Sequence, residues 1–239
     1  MLFAGLYRVV WTCNDCSVSS CDASKEDTKL FRVHFAVRDY QDLQKAMGDD
    51  IVGKTYLPTN VAKECPTAMC SGKRSPAVEV SRLPAVLLVE VVRMSLNGRN
   101  RSTKKLQLTD NGVYRFHGET YELVGVINHT GTSSSSGHYT VLAAVGAANQ
   151  CAPQEVSWKL FDDDVVKDVD IETMRTRAGA EGRLFVLRRS SSGDLLPNSR
   201  RLLQQAPMHV IRRRTLTVFV AVTIVVGTHL SSITGRLRR

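Results

Sequence analysis

Two short polar segments in the second half of the chain contain the residue types of a catalytic pair. Ser136-Gly137-His138-Tyr139 follows a Ser-rich stretch, and Phe161-Asp162-Asp163-Asp164 begins 23 residues after His138. An imidazole acts as a general base near neutral pH when a partner bonds its other ring nitrogen and fixes the tautomer. Asp162 and Asp163 are candidate partners, so the two segments predict a histidine base with a carboxylate that orients it.

The apolar residues beside these segments predict the strands that would bring them together. Residues 139–145 and 158–161 are expected to be strands, joined by a long hairpin connection. Antiparallel neighbours of this kind place His138 beside Asp162. Gly137 has no side chain, so a substrate backbone can approach the imidazole closely.

The rest of the first 189 residues predicts an α+β domain in which antiparallel strands dominate. Further strands are expected at 6–11, 30–37, 105–108, 121–128 and 184–187. Residues 85–94 are almost wholly aliphatic, which predicts a strand buried on both faces. A short amphipathic helix is expected at 39–47, and a further helix at 168–178.

The charge of the chain is concentrated at its C-terminal end. The net charge is +9, and residues 188–239 contribute all of it through ten arginines and one acid, Asp194. A basic tail suits an anionic surface such as membrane lipid or RNA, and the alternative is a solvated segment with no dedicated partner. Since the body is electrically balanced, no specific nucleic-acid partner is expected.

The tail contains an uncharged stretch between arginines. Residues 215–235 lack formally charged side chains, and about 20 residues span the hydrocarbon core of a bilayer as a helix. Polar residues such as His229 weaken its second half. The alternatives are a transmembrane or tail-anchor helix, a β-branched strand-like segment, and a stretch without selected function. Residues 190–214 before it are interpreted as a basic linker.

Six cysteines occur, at positions 13, 16, 21, 65, 70 and 151. The N-terminal apolar stretch is too short for a secretory signal, so a reducing location in the cytoplasm or nucleus is expected. Clustered cysteines in such a compartment more often bind metal, or nothing, than form disulfides.

Five blocks of residues occur in an order that is more informative than either polar segment alone. They are Leu83-Pro84-x-x-Leu87-x5-Arg93, Tyr121-Glu-Leu-Val-Gly-Val-Ile-Asn-His-Thr-Gly131, Ser136-Gly-His-Tyr-Thr140, Trp158-x-x-Phe161-Asp162-Asp163-x-x-Val166 and Leu184-Phe-Val-Leu-Arg188. In this order they resemble the ubiquitin-specific protease family of cysteine deubiquitinases. The resemblance covers residues 4–189 and is strongest over 83–189. One departure is Met94, where the family usually has phenylalanine.

The resemblance implies a papain-like cysteine protease fold. Residues 1–82 would form the fingers and part of the palm, and residues 83–189 the palm. It implies that His138 is the catalytic histidine, Asp162 the third member of the triad, and Asp163 an assisting polar residue.

For three aromatic residues near these motifs the resemblance implies no part in the reaction itself. Tyr139 and Trp158 are expected to pack around the site. His129 matches a position without a catalytic role.

The resemblance also implies a structural zinc ribbon in the fingers. Cys13-x-x-Cys16 would be its first knuckle, and Cys65 with Cys70, which have four residues between them, the second. Zinc requires four soft ligands in a tetrahedron. The alternative is a ribbon that has lost its metal. Cys21 and Cys151 are expected to be unligated, and no cofactor is expected for catalysis.

The family's nucleophilic cysteine lies in a Gly-x-x-Asn-x-Gly-Asn-Thr-Cys-like segment on the thumb subdomain, and this sequence has no such segment. Trp11-Thr12-Cys13-Asn14 offers a Thr-Cys pair, but its distance from Leu83-Pro84 fits the fingers. The expectation is that the thumb is absent and that the nucleophile lies outside residues 1–239.

Three functions follow from these observations. The first is the C-terminal part of an enzyme that hydrolyses (iso)peptide bonds at the C-terminus of ubiquitin by thiol chemistry. The second is an inactive ubiquitin-binding pseudoenzyme, and the third is a membrane-tethered scaffold. Ubiquitin or ubiquitinated proteins are the expected partners, and a membrane is a further one through residues 215–235. The retained His and Asp boxes favour the first function.

Overall fold

The structure is a computed structural model, and it describes residues 3–17, 19–21, 28–30, 32–48, 51–57, 62–95, 100–133, 136–145 and 157–190. The chain divides into two units, Met1–Ser190 and Ser191–Arg239, and all described residues belong to the first. The predicted linker after residue 190 and the predicted membrane segment at 215–235 lie outside the described residues. In the described ranges, no helix combines the length and apolar character that crossing a bilayer requires.

The described chain forms short helices and many strands. In chain order they are β1 (Gly5–Cys13), β2 (Ser19–Cys21), β3 (Thr28–Leu30), β4 (Arg32–Ala36), α1 (Leu43–Ala46), α2 (Ile51–Tyr56), β5 (Lys63–Glu64), β6 (Lys73–Arg82), β7 (Val86–Val92), β8 (Val113–Phe116), β9 (Glu119–Thr130), β10 (His138–Val145), β11 (Ser157–Asp162), β12 (Val165–Val169), α3 (Ile171–Glu181) and β13 (Gly182–Arg189).

The strands form two sheets. One has five strands in the order β2-β1-β6-β5, with β3 also paired to β1, and we call it the fingers sheet. The other has eight strands in the order β12-β11-β10-β9-β13-β7-β4, with β8 also paired to β9, and we call it the palm sheet. Among the described strands only β4 and β7 pair in parallel. The predicted α+β class, dominated by antiparallel strands, is confirmed.

One row of cross-strand neighbours defines the core face of the palm sheet. The row is Val33, Val89, Phe185, Val126, Leu142 and Leu160, taken from six successive strands. Each of these side chains is at most 7% exposed. Complete burial of such a side chain stabilises the fold by about 1.5–3 kcal/mol. Helix α3 packs into the same core through Met174 and Ala178.

Arg93 connects the end of α3 to the palm sheet. Its buried guanidinium donates to the carbonyl oxygens of Gly179 at 2.6 Å, Gly182 at 2.9 Å and Lys104 at 2.8 Å. Burial lowers the pKa of Arg93 to about 10, so the group is still charged at neutral pH. The last carbonyls of a helix lack partners within the helix and carry partial negative charge, so a cation there is stabilising. Gly179 also permits the close approach of the Leu106 backbone to α3, because a Cβ at position 179 would lie 2.5 Å from the Leu106 carbonyl oxygen.

The structure corrects three predicted elements. The helix expected at 39–47 is confined to α1, and the strand expected at 105–108 is absent, with a single bridge between Asp42 and Gln107. That segment bonds instead to a helix end, since the Leu106 N–H donates to the Gly179 carbonyl at 2.9 Å. The helix expected at 168–178 begins only at Ile171, because residues 165–169 pair with β11 and Asp170 caps the helix.

Candidate functional site

The two polar segments meet at one end of the palm sheet. Strand β10 begins at His138 and β11 ends at Asp162, and the two strands pair antiparallel. Because side chains alternate along a strand, His138 and Asp162 project from the same face as the buried pair Leu142 and Leu160. The two candidate catalytic side chains therefore lie at the solvent-exposed edge of the core face.

His138 and Asp162 form a direct hydrogen bond. Nε2 of His138 lies 2.5 Å from Oδ1 of Asp162. The two side chains are 48% and 38% exposed. Nδ1 of His138 has no hydrogen bond to any residue that the structure describes, so this nitrogen is available to a reacting group. The structure thus places His138 beside Asp162, as the two polar segments predicted.

Asp163 occupies the tight turn between β11 and β12. Its backbone adopts a left-handed conformation with φ of 51°, which Asp tolerates better than most residues. One of its carboxylate oxygens lies within 4.8 Å of both a His138 ring nitrogen and an Asp162 oxygen. Asp163 therefore adds negative charge beside the pair without replacing Asp162 as the hydrogen-bond partner.

The charges around the pair favour an imidazolium beside a carboxylate. The hydrogen bond that Asp162 accepts from His138, together with the negative charges of Asp162 and Asp163, raises the pKa of His138. The same bond lowers the pKa of Asp162, and nearby Arg177 lowers it further. Because both side chains are exposed, solvent screens this attraction, so it contributes little to the stability of the fold.

This arrangement can act as a general base once an acidic group reaches Nδ1. In the neutral ring, the Nε2–H group donates to Asp162, and the lone pair on Nδ1 is then able to accept a proton. Among the described residues, none holds a thiol or hydroxyl in hydrogen-bond contact with His138.

The other residues named near this site have different positions. Tyr139 is half-exposed, and its ring contacts the ring of His129 with 4.6 Å between centroids. Trp158 is expected to pack around the site. In the structure it lies near the opposite end of β11, where its side chain is part of the hydrophobic core.

A second cluster of reactive side chains lies at the tip of the fingers sheet. Sγ of Cys13 is 3.6 Å from Sγ of Cys70, and Sγ of Cys16 is 3.6 Å from Sγ of Cys65. All four sulfur atoms lie within 4.8 Å of one another. Cys13 is the last residue of β1, and Cys16 follows it closely, while Cys65 and Cys70 lie in the turn from β5 into β6. The antiparallel pairing of β1 with β6 therefore brings these two segments together.

The spacing of these sulfur atoms suits a tetrahedral metal ion. A Zn–S bond of about 2.3 Å places the sulfurs of a regular tetrahedron about 3.8 Å apart. Hydrogen bonds with Thr67 lower the pKa of Cys65 to about 6, which favours the thiolate form that binds metal. The pKa of Cys70 is lowered by the Gly72 backbone but raised more by contact with Cys13 and by burial, to about 12, so a metal ion would have to displace the proton of that thiol. The four cysteines can therefore hold a metal ion. Nothing is described of the Cys21 side chain, and Cys151 lies outside the described residues.

Two residues that influence the site were not predicted to do so. Arg177, on α3, acts on Asp162 through space, and His129 packs beneath the backbone next to His138. Neither contact has a local signal in the sequence, because each depends on which face of an element is turned toward β10. The position of His129 opposite Tyr139 in the hairpin register is the one sign that could have identified it.

A family model described as "Ubiquitin carboxyl-terminal hydrolase" matches residues 1–186. The chain is 29% identical over 150 residues to rat ubiquitin carboxyl-terminal hydrolase 19, and 26% identical over 187 residues to chicken ubiquitin carboxyl-terminal hydrolase 48. These alignments cover 56% and 72% of this chain. The chain spans only 11% and 16% of the length of these two relatives.

Solved structures of a deubiquitinating module have a similar fold. The SAGA DUB module bound to monoubiquitin matches with a TM-score of 0.59 and 16% identity, over 79% of this chain and 41% of that one. The same module bound to ubiquitin aldehyde matches with a TM-score of 0.59 and 18% identity, over 79% and 42%. At this level of identity the likeness concerns the fold.

Proposed function

Because the chain belongs to the ubiquitin carboxyl-terminal hydrolase family, we propose that His138 and Asp162 serve the thiol-dependent hydrolysis of (iso)peptide bonds at the C-terminus of ubiquitin. The observation that carries the proposal is the 2.5 Å bond between His138 Nε2 and Asp162 Oδ1, which leaves Nδ1 for a thiol. The five motif blocks that resemble ubiquitin-specific proteases support the same assignment.

The chemistry assigns one role to each residue. Nδ1 of His138 accepts the proton of a cysteine thiol, and the thiolate attacks the carbonyl carbon of the scissile bond. The imidazolium, stabilised by Asp162, then donates this proton to the leaving amine. Water then attacks the thioester carbonyl as His138 accepts a proton from it, the C–S bond breaks, ubiquitin leaves with a free C-terminal carboxylate, and His138 returns the proton to the cysteine sulfur. Asp163 adds negative charge beside the imidazolium. We infer that the nucleophilic thiol lies outside residues 1–239, as the family resemblance implies.

Ubiquitin is the partner that fits this chemistry. The fold neighbours of the described residues include a deubiquitinating module bound to monoubiquitin. We infer that the palm and fingers sheets of this chain bind the globular part of ubiquitin in a similar way.

A direct test measures the binding of labelled monoubiquitin to the full chain. Saturable binding is expected, and failure to bind at high protein concentration would contradict the proposal. The chain is then mixed with a cysteine-bearing thumb segment from a family relative and a fluorogenic ubiquitin substrate. Hydrolysis is expected to require both components and to disappear with His138→Ala.

A matched pair of variants tests the role of the carboxylate. Asp162→Asn is expected to reduce hydrolysis in the mixture, while Asp168→Asn removes an exposed aspartate that pairs with Lys159 and is expected to have little effect. A ubiquitin probe with a C-terminal electrophile is expected to leave the chain alone unlabelled. Labelling at any of its six cysteines would show that the nucleophile lies within the chain.

We further infer that Cys13, Cys16, Cys65 and Cys70 bind a structural zinc ion, and the fit of the sulfur spacing to a tetrahedron supports this. Metal analysis of the purified full chain should find about one zinc per molecule. Cys16→Ser should lose most of it, and Cys151→Ser, outside the cluster, should retain it. A wild-type chain purified without chelators that contains no zinc would support a ribbon that has lost its metal.

The cellular location stays a prediction. The cytoplasm or nucleus is expected, with attachment to a membrane through residues 215–235. Fractionation of cells expressing the full chain or a chain without residues 215–239 separates the alternatives. If the full chain is entirely soluble, the membrane anchor is wrong.

A further inference from the structure

His129 lies next to the catalytic pair but on the other face of the sheet. In the register of β9 and β10, His129 is opposite Tyr139, and His138 is opposite Thr130. The side chain of His129 is only 4% exposed. Its ring contacts the ring of Tyr139 with 4.6 Å between centroids and 39° between planes. The residue that follows His138 is therefore held from below by a buried ring.

The residue that precedes His138 is held by the same ring. The backbone of Gly137 packs so closely on His129 that a Cβ at position 137 would overlap His129 Nε2 and lie 2.7 Å from the Thr130 carbonyl oxygen. Gly131, at the other end of the connecting loop, also packs near the ring, since a Cβ there would lie 3.3 Å from His129 Cε1. The ring thus contacts both neighbours of His138 and both ends of the loop.

We propose that His129 is a positioning residue, whose buried ring fixes Gly137 and Tyr139 and thereby sets the direction in which His138 leaves the sheet toward Asp162. This inference deepens the proposed function and rests on it, since it concerns the same base. An exposed histidine at the first residue of a strand otherwise has considerable freedom, and a hydrogen bond to an exposed carboxylate is too weak to fix it alone.

The electrical state of His129 suits a packing role. Burial, together with the charges of Arg183 and Arg101, lowers the pKa of His129, so the ring is neutral at physiological pH. It therefore adds no positive charge beside His138. The charged groups that act on His138 itself are Asp162, Asp163 and Arg177. Removing His129 changes none of these three directly, so any change at His138 must pass through position.

The test follows the titration of His138 by NMR in the full chain labelled at histidine. In wild-type protein the pKa of His138 is expected to be above the ordinary value of about 6.5. His129→Ala is expected to lower it toward that value, because the bond to Asp162 is then formed less often. Ile127→Ala is the control for lost packing, since Ile127 is equally buried on the same face of β9 and is expected to leave the titration unchanged.

A double-mutant cycle separates positioning from general destabilisation. In the Asp162→Asn background, His129→Ala should cause no further fall in the pKa of His138, because the bond on which His129 acts is already lost. An equal fall in both backgrounds, or no fall in either, would overturn the inference.

A second variant keeps the inference testable if His129→Ala fails to fold. Tyr139 is 41% exposed, so its replacement is tolerated better. Tyr139→Ala removes the ring that His129 supports and is expected to lower the pKa of His138, whereas Tyr139→Phe keeps the ring and is expected to preserve it. Identical titrations for both variants would contradict the inference. Ubiquitin binding is measured separately, so its failure would count against the proposed function and not against this contact.

Discussion

The fingers tip and the end of the palm sheet each bring together a few reactive side chains, but on different physical terms. The cysteine cluster joins segments 57 and 49 residues apart with groups of the same kind, which repel one another as thiolates. The His138–Asp162 pair joins groups 24 residues apart whose charges are opposite. As thiolates the cysteines would be stabilised by a bound cation, whereas His138 and Asp162 stabilise each other through their opposite charges.

The two regions also differ in what lies behind them. The palm pair lies on the same face of β10 and β11 as Leu142 and Leu160, which belong to a row of buried side chains that crosses six strands. The fingers sheet contributes fewer buried side chains, such as Val10, Trp11 and Leu30, and Arg8 forms an exposed ion pair with Glu79 on it. The palm site is therefore backed by packing, whereas the fingers cluster is expected, under the proposed zinc site, to depend on a bound ion.

Zinc removal should have the largest effect and should separate the two regions. Structural zinc sites contribute apparent binding free energies of about 10–16 kcal/mol in small peptides, so chelation or Cys16→Ser should unfold the fingers tip. Hydrogen exchange should accelerate at β1 and β6, while the pKa of His138 stays the same. A loss of protection across the palm sheet as well would show that the two regions are not independent.

Loss of Arg93 should damage the palm and spare the fingers. Arg93→Met removes a donor from the buried carbonyls of Gly179 and Gly182, and the Leu106 N–H still donates to Gly179, so unfolding should become easier by about 1–3 kcal/mol. Denaturant unfolding measures the change. Arg188→Met removes an exposed arginine that pairs with Glu122 and is the control. Equal effects from both variants would contradict the role of Arg93 at the end of α3.

The pH dependence of the pair has a definite sign. The raised pKa of His138 stabilises the fold below the unfolded value of about 6.5, and this contribution is lost as the pH rises through the folded pKa. The lowered pKa of Asp162 stabilises above its unfolded value of about 3.9, and this is lost as the pH falls through the folded pKa. Asp162→Asn should therefore lower the pKa of His138 in an NMR titration, and Asp168→Asn should not.

Removal of an exposed ion pair in the fingers should have the smallest effect. Arg8 and Glu79 are 52% and 51% exposed, so Arg8→Ala should change the free energy of unfolding by less than about 1 kcal/mol. Thermal unfolding of the zinc-loaded chain measures it. A larger loss would mean that the fingers sheet depends on its surface charges as well as on metal.

The sequence was most informative where contacts are local or repeat along a strand. The alternating and aliphatic patterns predicted β7, β9, β10 and β13, and the order of the polar segments predicted the pairing of His138 with Asp162. β6 was not predicted, because charged and small residues alternate along it and Pro76 interrupts it. Proline is tolerated there because β5 pairs only with Lys73 and Arg74, so on that edge no described strand needs an N–H from Pro76.

By itself, the sequence determined which residues could react and which cysteines are close neighbours along the chain, because both depend only on residue type and short spacings. Only the tertiary structure decided that Arg93 caps α3, that the two cysteine pairs meet, and that His129 lies beneath Gly137. These contacts join distant segments, and their geometry depends on the register and side-chain alternation of the paired strands. A shift of one residue in that register would turn each of these side chains to the other face.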